Sequence, residues 1–187
     1  MRSRIVTTVL LIVAALFPAT AAEARETYNG HVVPSTGTFP RTGSQRLVVT
    51  LERYSTPDET QRLVEALKAK GQKGLEKELW DLEVGRIRVG DRLSYPIATA
   101  QLHQDPELGT QRIVLLLSRP IAYAEIAKSS RSQQYPFTLV ELDVDGAGTG
   151  SGEMIVAAKV EIRKDGVVEL ENLEAQPLRI LKVQRTE

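Results

Sequence analysis

The chain has 187 residues, with 24 Lys plus Arg against 24 Asp plus Glu, no cysteine and 5% aromatic residues. That balance lacks the basic face that nucleic acid demands, so a nucleic-acid binder is excluded. It also rules out a disulfide framework, leaving a packed core as the source of stability.

The N-terminus reads as an export signal. Arg2 and Arg4 give a positive start, residues 5–17 are apolar and uncharged, and small residues alternate up to Ala24. This is the pattern of a secretory signal peptide. The apolar run is shorter than the about 20 residues that a membrane span needs. Ala21 and Ala24 both satisfy the small-residue rule for cleavage. The expected layout is a cleaved signal over residues 1–24 and one domain over 25–187, an exported bacterial protein, periplasmic or secreted, with no membrane span after cleavage. Losing Arg2, Arg4 and Glu23 lowers Lys plus Arg to 22 and Asp plus Glu to 23, a net charge of −1. So small a charge gives no general electrostatic hold on an anionic membrane.

Residues 27–33 and 45–54 are strand-like, and the Pro/Gly/Ser/Thr-rich stretch between them is a loop. In the second strand Leu47, Val49 and Leu51 fall on one face at period two. The clearest helix signal follows. Thr56 is a good N-cap, Pro57 sits at the first helical position, and Glu59 completes a capping box. Leu63, Val64, Ala66 and Leu67 make the apolar stripe, and Gly71 can end the helix. A shorter helix over 73–82 carries Leu75, Leu79 and Leu82 on one face, with Trp80 off that stripe. Strand character returns at 86–89, 92–103 and 111–118. After a polar loop, four strands finish the chain, at 136–145, 153–163, 167–173 and 178–184.

The stretch "DVDGAGTGSGE", residues 143–153, looks like a ligand loop but fails each test. An EF-hand starting at Asp143 has Ala147 at its fifth position and Met154 at its twelfth. A phosphate loop fails because Glu153 and a strand follow Gly152, and a dinucleotide fingerprint breaks at Ser151. A weak calcium site from Asp143, Asp145 and Glu153 is the minor alternative to a plain hairpin turn. In that hairpin Val144 is expected opposite Met154, Leu142 opposite Val156 and Val140 opposite Ala158, which aligns the apolar sets. Met154, Val156, Ala158, Val160 and Ile162 are then buried together. The next hairpin has Asp165-Gly166, but a two-residue turn there would mix faces. A three-residue loop with Gly166 at positive φ instead sets Ile162 opposite Val168 and Val160 opposite Leu170, with Glu161 opposite Glu169.

Phe137, Leu139, Ile155 and Ala157 make the second sheet face mixed, and the helix with the Leu63 and Leu67 stripe is its available cover. The expected fold is α+β: a predominantly antiparallel, strongly curved or barrel-like sheet with a helical hairpin inserted after an early strand.

Motif chemistry is sparse. His31 and His103 have no metal-ligand spacing, no Ser sits in a nucleophile elbow, and no cofactor motif is present. Glu141, Asp143 and Glu153 read as solvent-facing strand residues before they read as paired catalytic carboxylates. Arg119, Tyr123, Arg131 and Tyr135 surround the polar loop and are the candidate binding residues, because Arg and Tyr are enriched in binding surfaces. Trp80 is a helix-core or edge residue first and a binding anchor second. The expected role is a non-catalytic exported domain that binds a protein partner or a small apolar ligand. The runners-up are a hydrolase-type enzyme assembled around His103 and a structural envelope-associated protein.

Overall fold

The computed structural model describes residues 25–33, 43–91, 93–106, 109–121, 134–162, 168–172 and 176–186. The signal-peptide reading of residues 1–24 and the expected positive φ of Gly166 lie outside them.

The described strands are β1 (Glu26–Val33), β2 (Gln45–Leu51), β3 (Gly85–Val89), β4 (Tyr95–Ile97), β5 (Thr99–Asp105), β6 (Thr110–Leu117), β7 (Phe137–Asp145), β8 (Thr149–Ile162), β9 (Val168–Asn172) and β10 (Leu178–Arg185). All their pairings are antiparallel. The order is β4-β3-β2-β1-β10-β8-β7-β6-β5, with β9 on β8. The two ends of that order, β4 and β5, are consecutive in the chain and meet at buried Ala98, whose N–H donates to Leu116 O at 2.9 Å. The sheet therefore curls into a nearly closed barrel. The antiparallel, strongly curved, barrel-like sheet and a helical segment after an early strand are as expected; the fold is mainly β, with that segment outside the barrel, so the α+β description holds only in part.

That segment is α1 (Pro57–Trp80). Its start is the capping box read from sequence: Glu59 N–H donates to Thr56 Oγ1 at 3.2 Å and Thr56 N–H to Glu59 Oε2 at 2.9 Å. Gly71, at φ 62° and ψ −155°, breaks the segment into two helical limbs. Gln72 pins the bend to the sheet, donating to Gln134 O at 3.1 Å and accepting from Val160 N–H at 3.2 Å.

Two apolar clusters result. The barrel interior is filled by side chains from around the ring, among them Leu47, Val49, Leu51, Ile87, Ile97, Ile113, Leu115, Val140, Leu142, Met154 and Ile180. The second cluster lies under α1, where Leu63, Leu67, Leu75 and Leu79 pack on Ala98, Phe137, Ala158 and Val160. The helix is thus the expected cover for the second sheet face.

The β8–β9 register is the expected one, with Ile162 opposite Val168, Glu161 opposite Glu169 and Val160 opposite Leu170. The β7–β8 register differs by four residues: Val140 faces Met154, Leu142 faces Gly152 and Val144 faces Gly150. The turn is tighter than expected. Gly148, at φ 78°, closes it, its N–H donating to Asp145 O at 2.8 Å. Gly150 belongs to β8, paired with Val144, and the strands approach so closely there that a Cβ would collide with Asp143 O. A further correction concerns the face of β8. A bulge between the Leu139–Ile155 and Phe137–Ala158 pairs reverses its alternation. Met154 and Val156 therefore point into the barrel while Ala158 and Val160 point at α1, two cores rather than one.

Candidate functional site

Of the four binding residues named from sequence, Tyr123 and Arg131 lie outside the described residues. Arg119 is exposed, with its guanidinium 5.2 Å from the centre of the Tyr95 ring, a cation–π contact. Tyr135 donates to Glu171 on β9 at 2.8 Å. The two described members therefore turn to different neighbours.

His103 stands exposed on β5, opposite Arg112 of β6. Among the described residues no hydrogen bond joins its imidazole to a carboxylate or hydroxyl. Arg112 instead serves the carboxylates of β7: its Nε lies 2.8 Å from Asp143 Oδ1 and 3.0 Å from Glu141 Oε1. Burial pushes the Glu141 carboxyl above its ordinary range, while Arg112 pulls it the other way. Glu153 is directly opposite Glu141 and also opposite Arg179. This is a charge ladder across the outer sheet face. Asp145 Oδ1 accepts from Ala147 N–H and Thr149 N–H, both at 2.9 Å, and so caps the turn. Among the described residues no acidic or histidine cluster has the geometry to hold a metal ion.

One polar constellation escaped the sequence reading. At a rim of the barrel, Glu26 Oε2 accepts from Tyr28 OH at 2.9 Å and from Tyr54 OH, and Arg185 lies 3.6 Å from Glu26 Oε1. Burial, then the bond to Glu26, pushes the Tyr28 phenol up to about 12. Tyr54 is also raised, again by burial first. Both phenols stay neutral donors at ordinary pH, so the group acts as a latch joining β1, β10 and the segment between β2 and α1. The signal was faint: Glu26 and Tyr28 share a strand face at spacing two, but Tyr54 and Arg185 come from remote segments.

The exposed candidate is on α1. Trp80 is 66% exposed, off the buried Leu75 and Leu79 stripe as its spacing implied. Lys73 and Lys77 are exposed in the same limb. A shallow groove between the two limbs is lined by Glu59, Arg62, Leu63, Glu78, Asp81 and Leu82. Glu59 is not free within it, since Arg53 holds both its oxygens at 2.9 Å and draws its carboxyl down to about 2. Among the described residues no helix is long and apolar enough to cross a membrane.

No protein-family model, curated protein or solved structure matches the chain.

Proposed function

We propose that the chain is an exported, non-catalytic domain that binds a protein partner through the outer face of the second α1 limb, with Trp80 as the anchor. The observation that carries this reading is the 66% exposure of the chain's one tryptophan on a helical limb whose other face packs on the sheet. An exposed indole offers large contact area while only two side-chain torsions need be fixed, which is why Trp is enriched in binding hot spots. The filled barrel interior favours a protein partner over a small apolar ligand, because a ligand site needs a concave apolar space. Export rests on the N-terminal pattern of residues 1–24.

The test is site-specific photocross-linking in the producing cell. A photoreactive amino acid at position 80 should give one recurrent protein adduct, and the same group at exposed His103 should not. Equal labelling at both positions, or none at position 80, contradicts the reading.

A further inference from the structure

Arg119 follows the end of β6 and is held at both its backbone and its tip. Behind it stands the fully buried Thr138, whose Oγ1 accepts from Ile121 N–H at 3.0 Å and lies 3.1 Å from Arg119 O and 3.0 Å from Val156 O. That hydroxyl pins residues 119–121 to β7 and β8. At the tip, the guanidinium rests over the buried Tyr95 ring, 5.2 Å from its centre. The contact uses the charge of the guanidinium and none of the N–H groups that seek oxygen acceptors. Among the described residues no carboxylate, hydroxyl or carbonyl accepts from those N–H groups, and Arg119 is exposed. By contrast, Arg53, Arg86, Arg112 and Arg185 each meet a carboxylate. Asp91, the described acid nearest Tyr95 along the chain, makes no ion pair with Arg119. Leu93, two residues before Tyr95 and so within about 7 Å of it along the backbone, is 86% exposed.

We propose that Arg119 receives a carboxylate carried next to an apolar group, the carboxylate taking two parallel hydrogen bonds from the guanidinium and the apolar group covering Leu93. The planar fork of arginine matches the two oxygens of a carboxylate in this way. Charge selects a carboxylate over a phosphate: one unpaired guanidinium balances a single negative charge, whereas a phosphate of about −2 would stay half neutralised. Fixing a long side chain is a large part of the entropic cost of such a contact, and here Tyr95 and Thr138 already hold it. A peptide terminus ending in an apolar residue and a free branched aliphatic acid present the same chemistry. The site is separate from the Trp80 face and does not depend on it.

The test is a nuclear magnetic resonance titration of the full chain, as processed by its host, read at the Arg119 Nε–H and the Leu93 methyl groups. The probes are the peptide acetyl-Gly-Gly-Leu with a free carboxylate, the same peptide as its amide, 4-methylpentanoate, acetate and inorganic phosphate. The peptide acid should shift both signals saturably, and the amide should bind about tenfold more weakly or worse. Arg119→Gln should lose affinity for the acid by a similar factor, and Arg119→Lys, which keeps the charge without the fork, should recover only part of it. Leu93→Ser should weaken the peptide acid and leave acetate unchanged. Far-ultraviolet circular dichroism should match the parent, because both side chains are on the surface. Tighter binding of the peptide acid than of 4-methylpentanoate assigns the site to a chain terminus, and equal binding to a free acid. Absence of a saturable shift, equal binding of acid and amide, or an Arg119→Gln variant that binds like the parent overturns the proposal. Phosphate binding more tightly than every carboxylate also overturns it.

Discussion

The barrel interior and the layer beneath α1 bury similar side chains under different constraints. Inside the barrel, each apolar residue is held by strands on both sides and faces others across a nearly closed ring. Beneath α1, one broken helix presses four leucines onto the outer face of the sheet, fastened at its start by Arg53 with Glu59 and at its bend by Gln72. The interior depends on the whole ring, and the outer layer on two polar fastenings. Local opening should therefore begin at the helix, which is also the element proposed to meet a partner, in keeping with binding elements coming from the less stable parts of a fold.

Mutations can break that contrast. Leu142→Ala, in the barrel wall, should cost about 2–5 kcal/mol and raise hydrogen exchange throughout the chain. Val160→Ala, beneath the helix, should cost about 1–3 kcal/mol and speed exchange first in α1. If both variants loosened all amides equally, the two clusters would be one cooperative unit.

Glu59→Gln should cost about 1 kcal/mol in denaturant unfolding, since the charged pair is lost while a side-chain oxygen can still accept from Thr56 N–H. The pH dependence has a definite sign. Glu59 has its carboxyl lowered from 4.5 to about 2, mainly by Arg53, so its stabilisation is complete above about pH 4.5 and fades as pH falls toward 2. The parent should therefore lose more stability than Glu59→Gln over that window, and the difference between them should narrow. The smallest effect is expected at Lys182, whose φ of 53° lies in the left-handed region beside the β10 bulge. Lys182→Gly should stabilise by about 0.5 kcal/mol, the relief of strain exceeding the chain entropy that glycine adds.

Parts of this layout were legible in the sequence because their signals are local. Thr56, Pro57 and Glu59 mark the helix start by position alone, and the β8–β9 register follows because a slip by one would no longer set Val160 opposite Leu170 on one face. The β7–β8 register was not legible from alternation, since a slip of four keeps every side chain on its face. The decisive feature was the lack of a Cβ at Gly150 and Gly152, which lets β8 run against the carbonyls of β7, and glycines in a row read as a loop. The bulge that divides Val156 from Ala158 leaves no pattern in three consecutive buried residues. Of the site, Trp80 was visible as a residue off the apolar stripe, but its exposure depends on how the limb sits on the sheet. The Glu26 latch joins residues as far apart as Glu26 and Arg185, a contact that only the closed ring creates.

The most direct measurement is the fluorescence of the unliganded chain, which has one tryptophan. With Trp80 on the outer face of the second limb, emission should fall near that of free tryptophan in water, and acrylamide should quench it almost as well in the folded chain as in denaturant. Emission at short wavelength, protected from acrylamide until the chain unfolds, would place Trp80 in a packed interior and contradict the proposed binding face.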